Sequence, residues 1–132
     1  MPAASNAADV RLEPAIPVLR IFSEAKAREF YLDFLGFTLN WEHRFGDNFP
    51  LYAQVSKSGV ALHLSEHYGD ATPGSAVLIN MKGIEAFHQG LIAQDYRYAK
   101  PGIEDAPWGA RTVSLTDPFG NKLTFSESRD EK

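Results

Sequence analysis

Hydrophobic positions along the chain follow two patterns: some alternate with polar residues, and others recur every three or four residues. AIPVLRIF (15–22) is almost wholly apolar and reads as a buried strand. Pro17 lacks an N–H, which restricts that strand to a sheet edge or to a start at this residue. Ser23 suits a helix N-cap, with Glu24 in the first turn. Ala27, Phe30, Tyr31 and Phe34 then fall at i, i+3, i+4 and i+7 and predict one apolar helical stripe. Gly36 fits the position just past that helix. FTLNWEHRF (37–45) alternates and predicts a strand with Leu39, Trp41, His43 and Phe45 on one face. GDNFP is a turn. LYAQVS and VALHLSE are further strands, joined by a hairpin turn at Lys57-Ser58-Gly59.

After a loop at GDATPGS the same order returns. SAVLINM predicts a strand, and Ile84, Phe87, Leu91 and Ile92 predict a second helical stripe. YRYAK reads as extended and PGIEDAPWG as a loop. ARTVSLT and KLTFSE are strands on either side of a β-turn at Asp117-Pro118-Phe119-Gly120. The halves also match residue by residue: at an offset of 61, Gly59 meets Gly120, Leu62 meets Leu123, Leu64 meets Phe125, and Ser65-Glu66 meet Ser126-Glu127. A fixed offset with a shared element order marks a duplication. The expected fold is α+β, with two βαβββ units at about 15–67 and 75–128 inside a single domain of 14–128. Residues 1–13 and 129–132 are expected to be loose tails.

Composition narrows the function. The formal net charge is -4, and no Lys/Arg cluster offers a phosphate-tracking surface, so nucleic acid is not an expected partner. The chain has no cysteine, which excludes disulfides, thiolate metal sites and a cysteine nucleophile. No apolar run approaches the roughly 20 residues of a membrane-spanning helix, and no membrane association is expected. The N-terminus shows no apolar segment of a secretory signal, so a cytoplasmic location is expected.

AKAREFYLDFLGF (25–37) and TDPFGNKLTF (116–125) resemble the vicinal oxygen chelate superfamily, also known as the glyoxalase/bleomycin resistance/dioxygenase superfamily. EDAPWGARTVSLTDPFGNKLTF is most similar to bleomycin resistance proteins, in which a PWG loop precedes a strand and a DPxGN turn. The resemblance covers about residues 15–127. It implies paired βαβββ modules with curled mixed sheets, and a homodimer, with modules possible to exchange between subunits, whose clefts lie at the subunit interface. It also implies sequestration of a drug without chemistry on it.

HLSEH (63–67) raises the alternative of a metal site. By the resemblance, enzymes of the superfamily carry ligands on the first and last strands of each module. Those positions fall here at Ile16 or Pro17, at His63, at Ala76 or Val77, and at Thr124. Only His63 is a strong donor. On an extended strand His63 and His67 would lie about 13 Å apart, at ~3.3 Å per residue, too far for one ion. Glu66 would point to the opposite face. No metal, cofactor or catalytic residue is therefore expected. A non-standard site of His63 with His43 is what an enzyme of the superfamily would need, whether lyase, transferase or dioxygenase. No nucleophile elbow is present.

The expected ligand-binding residues are Trp41, His43, Phe45, His63, Trp108, Glu104, Asp105 and Thr124. Trp108 lies in a Pro/Gly loop, where a large ring can stack on a ligand. By the resemblance, Trp41 aligns with an aromatic that holds the heteroaromatic tail of bleomycin. Phe49 and Tyr52 are near it in sequence, and the loop carboxylates, including Asp47 and Asp70, could meet a cationic ligand. The expectation is a binder of a bleomycin-type, aromatic and cationic antibiotic. The alternatives are a metal-dependent enzyme of the superfamily and a physiological small-molecule binder.

Overall fold

The computed structural model of the protein describes residues 9–129. Of the two expected tails, 1–8 and 130–132 lie outside the described residues, and 10–17 carry no helix or strand. Strand β1 (Val18–Arg20) is shorter than the apolar run around it. It starts directly after Pro17 and lies at a sheet edge, where a missing N–H is tolerated. Ser23 caps helix α1 (Glu24–Ala27, continued by Arg28–Phe34) by accepting the Lys26 N–H at 3.2 Å. The helix opens as an α-turn over Glu24–Ala27 and widens into a π-helix over Arg28–Phe34. It closes where the Leu35 N–H donates to the Phe30 carbonyl at 3.0 Å. Ala27, Phe30, Tyr31 and Phe34 are all buried, as their spacing predicts. Gly36 then turns the chain at φ 82°, in the left-handed conformation that ends many helices.

Strands β2 (Thr38–His43), β3 (Tyr52–Lys57) and β4 (Val60–Ser65) complete the first module. Ser58 and Gly59 both have positive φ, which gives the tight β3–β4 hairpin. The second module repeats the plan with β5 (Ala76–Asn80), α2 (Ile84–Ala93), β6 (Glu104–Ala106), β7 (Ala110–Thr116) and β8 (Lys122–Ser128). The sheet orders β1-β4-β3-β2 and β5-β8-β7-β6 are one arrangement made twice, with a parallel β1–β4 or β5–β8 pair and antiparallel hairpins. The two βαβββ modules expected from the sequence are therefore present.

Four local expectations are corrected. YRYAK is a series of turns rather than extended, since Asp95 takes a positive φ and redirects the chain out of α2. Part of the PGIEDAPWG loop is strand β6, paired with β7 from Glu104↔Thr112 to Ala106↔Ala110. Ile92 is exposed, so the α2 stripe is narrower than its spacing suggests and rests on Ile84 and Leu91. Leu39 does not share a face with Trp41. A bulge at Asn40 sets Leu39 against Val55 and Trp41 against Gln54, so the phase of the strand changes between them.

One core serves both modules, from Leu19, Ile21, Leu62 and Leu64 through the α1 stripe to Val113, Leu123 and Phe125. The buried Tyr31 hydroxyl donates to Asp117 at 2.6 Å across the module boundary. Asn121 donates from Nδ2 to the Arg20 carbonyl at 2.9 Å. Phe34 packs against Tyr96 with ring centroids 4.5 Å apart. No helix among the described residues is long and apolar enough to cross a membrane.

Candidate ligand-binding face

The helices cover one face of each sheet and leave the other without a covering element. On the first sheet Leu19, Ile21, Ala53, Val55, Leu62 and Leu64 are buried on the α1 side. Their alternation partners form two rows across the opposite face. One row runs Val18, His63, Gln54, Trp41, and the next runs Arg20, Ser65, Tyr52, His43. The second row is adjacent to the first because residues i and i+2 of a strand share a face.

His63 is fixed at the centre of this face by its neighbours. The Tyr52 hydroxyl lies 2.7 Å from Nδ1, and Gln54 Oε1 lies 2.9 Å from Nε2. Gln54 in turn donates from Nε2 to Asn40 Oδ1 at 3.1 Å. An amide oxygen can only accept, so His63 carries its proton on Nε2 and receives the Tyr52 hydroxyl at Nδ1. The chain Tyr52 to His63 to Gln54 to Asn40 thus has a single donor direction. Burial depresses the His63 pKa below its ordinary 6.5, in keeping with a neutral ring. Burial, and then the Asp70 carboxylate, raise the Tyr52 phenol above its ordinary value. Ser65 links the same edge, donating to Asp70 at 2.6 Å and accepting the His67 N–H at 3.0 Å.

Aromatic rings surround that polar chain. Trp41 and Tyr52 are parallel within 11°, with centroids 6.0 Å apart. Trp41 meets His63 edge-on at 5.3 Å. His43 packs edge-on against Phe45 at 4.7 Å, and Phe45 against His67 at 6.1 Å. Trp41 keeps 43% of its surface exposed and Phe45 73%. The site is an open, ring-lined wall with a polar centre, suited to stacking against a flat ligand.

The structure gathers Trp41, His43, Phe45 and His63 on this wall. Thr124, Glu104, Asp105 and Trp108 stand on the second sheet instead. Thr124 shares a 3.2 Å hydrogen bond with Ser114. Asp105 pairs with Arg129 at 3.1 Å. Glu104 is exposed on edge strand β6. Trp108 occupies the β6–β7 turn with 67% of its surface exposed. Gln54 and Arg20 were not anticipated as members of the wall. Alternation in LYAQVS places Tyr52 and Gln54 opposite Ala53 and Val55, which is the signal that points to Gln54; for Arg20 the signal is its place between Leu19 and Ile21, both buried.

The donor set does not suit a metal. Both ring nitrogens of His63 are committed to protein partners. The first-strand residue beside it is Val18, not Ile16 or Pro17, and the residue beside Thr124 is Leu78, not Ala76 or Val77. His43 faces Phe45. Strand β4 ends at Ser65, so the straight-strand separation of His63 and His67 does not apply, and the Tyr52 ring packs against both. Among the described residues no three His, Asp or Glu side chains come together.

Two like βαβββ modules, each presenting a sheet face without a helix, define the class of paired-module scaffolds. The family model described as "Glyoxalase superfamily protein" matches residues 3–132, and the chain belongs to the glyoxalase superfamily. No curated protein matches the chain. Among solved structures it is similar to a bleomycin-binding protein complexed with bleomycin, at 19% identity and TM-score 0.66, covering 89% of this chain and 99% of that one. It is similar to the bleomycin resistance determinant encoded on the transposon Tn5, at 18% identity and TM-score 0.69, covering 89% and 98%. It is also similar to TnmS3, an antibiotic binding protein from Streptomyces sp. CB03234, at 21% identity and TM-score 0.65, covering 90% and 99%. At these identities the likeness establishes the fold.

Proposed function

We propose that the protein binds and sequesters a planar aromatic small molecule of the bleomycin type, without chemistry on it, on the Trp41 wall. The observation that carries this reading is the commitment of both His63 nitrogens to Tyr52 and Gln54 beside an exposed Trp41 ring parallel to the half-buried Tyr52. A histidine so held is a poor metal ligand and a poor general base, because either role needs a free nitrogen lone pair. Exposed rings, in contrast, gain by stacking with a flat ligand. Two structural neighbours described as bleomycin-binding and antibiotic binding support the same choice.

In this reading the wall is completed by a second copy. Trp41 and Phe45 in the first module and Leu78 and Trp108 in the second are large apolar side chains left exposed on a single chain, and a second copy would cover them. A symmetric homodimer sets the first sheet of one copy against the second sheet of the other, which brings Trp108, Glu104 and Thr124 of the partner towards Trp41. The cationic character expected of the ligand has less support on this face. Asp105 is taken by Arg129, and Glu104 reaches the wall only across the interface. Calorimetric titration of the protein with metal-free bleomycin tests the proposal. Saturable binding at micromolar drug is expected, weakened at least tenfold in Trp41→Ala, with roughly 1.4 kcal/mol per decade. No saturable heat at micromolar drug overturns it.

A further inference from the structure

Arg20 is on the same face as the Trp41 wall and is left without a partner. The other described cations of the first module are engaged. Arg28 is held by Glu24 and Glu42, Arg44 by Glu24 and Glu66, Lys26 by Glu29, and Lys57 by the Leu35 carbonyl. The Arg20 side chain makes no hydrogen bond or ion pair among the described residues, and its Nε is buried with its proton unmatched. Asp70, the acid bonded to Ser65, forms no ion pair with it. The guanidinium instead lies against two rings, 4.7 Å from the Phe22 centroid and 5.9 Å from that of Tyr68. Asn121 pins its backbone through the Arg20 carbonyl.

Only Nε is buried; Nη1 and Nη2 carry no hydrogen bond within the protein and keep accessible surface, so they are the N–H groups that an acceptor can reach, and the ring contacts hold the guanidinium in place without satisfying them. This is the state of a side chain prepared for an acceptor that comes from outside. Arg20 belongs to the row Arg20, Ser65, Tyr52, His43, so it lies two strands from Tyr52. At ~4.8 Å per strand that is about 10 Å between backbones, within reach of a long arginine and one substituent. A planar fork of N–H groups suits an oxyanion, which it can bind through two parallel bonds.

We infer that Arg20 is an anion-recognition residue of this wall, so that among planar aromatics stacking there one that carries an oxyanion, such as a carboxylate, sulfonate or phosphate ester, binds more tightly than a neutral or cationic one. The inference rests on the proposed aromatic wall and adds the ligand's charge. It predicts that an aromatic acid binds better than its neutral parent.

Two fluorescent probes of one ring system separate these claims: anilinonaphthalene sulfonate and its sulfonate-free parent, phenylnaphthylamine. Fluorescence titrations of the full chain are expected to show the sulfonate bound about tenfold more tightly, as a hydrogen-bonded ion pair at a half-buried site allows. Added salt should narrow the gap. In R20Q the two affinities should converge to within about twofold, and R20K should retain part of the preference. Trp41→Ala should weaken both probes. If Trp41→Ala weakens both but R20Q leaves the preference unchanged, the anion assignment falls and the aromatic wall stands. If neither probe saturates, or Trp41→Ala changes nothing, both fall. A circular-dichroism melt of R20Q and R20K identifies the folded variants on which the comparison rests. If R20Q does not fold, loss of preference in R20K relative to wild type supports the assignment, and an unchanged preference in R20K overturns it.

Discussion

Tyr31→Phe removes one oxygen at the junction of the two modules. The ring has no exposed surface, so no water can replace the lost partner. The hydroxyl donates at 2.6 Å to Asp117 Oδ2, across 86 residues of sequence. Asp117 is itself buried. It keeps donors from the Phe119 and Asn121 backbones at 2.8 Å each and from Asn121 Nδ2 at 2.9 Å. The carboxylate is therefore weakened in its coordination rather than stripped. A hydrogen bond to a charged acceptor contributes about 1.5–3 kcal/mol, and the gain from not burying a phenol offsets part of it, so a loss of about 2 kcal/mol is expected. With a urea m-value of roughly 2 kcal/mol/M the unfolding midpoint should fall by about 1 M, at unchanged slope. The same variant should alter alkaline behaviour. Burial first, and Asp117 next, push the Tyr31 phenol far above its ordinary pKa of 10.0. The unfolded chain then loses that proton first, so stability present below about pH 10 declines as pH rises. Tyr31→Phe should flatten part of the decline, and Tyr96, raised to about 12, accounts for part of what remains. A midpoint moved by less than about 0.3 M would refute the account of the junction.

Three further predictions concern the wall. In a proton NMR titration the His63 ring should titrate below 6.5, so the stability it contributes is present above 6.5 and is lost as pH falls through its folded value. Tyr52→Phe frees Nδ1 and should raise that midpoint, and no change would contradict the hydrogen-bonded chain. Leu39→Ala should cost about 1–2 kcal/mol in urea unfolding while Trp41→Ala costs under about 0.5 kcal/mol, because the Asn40 bulge separates their faces; equal costs would contradict it. Sedimentation at micromolar protein should show a dimer, and a monomer at that concentration would remove the partner's Trp108 from the site.

The sequence made the large features legible for a physical reason. The α1 stripe, the Ser58-Gly59 turn and the offset of 61 are local patterns, and local propensity agrees with the fold at each. Three features were not legible in that way. The bulge at Asn40 preserves the alternating look of FTLNWEHRF while changing which side Leu39 faces, because one extra residue leaves composition untouched. The π-helical widening of α1 leaves its apolar spacing intact. Strand β6 is three residues long and polar, so β7 specifies it more than its own residues do. In the candidate site, His63 and Trp41 were visible as residue types. Gln54 and Arg20 are unremarkable as residue types, because their importance comes from what they face and, for Arg20, from the partner it lacks.

The central claim is that an aromatic ligand stacks on the Trp41 wall. Nitrogen-15 NMR of the protein during titration with metal-free bleomycin tests it most directly, since Trp41 and Trp108 are the chain's two tryptophans and each gives one indole N–H signal. The account predicts saturable movement of the Trp41 signal, with the Tyr52, Gln54 and His63 amides moving in step. A ligand that saturates while these signals stay fixed, or drug that moves nothing at micromolar concentration, would contradict it.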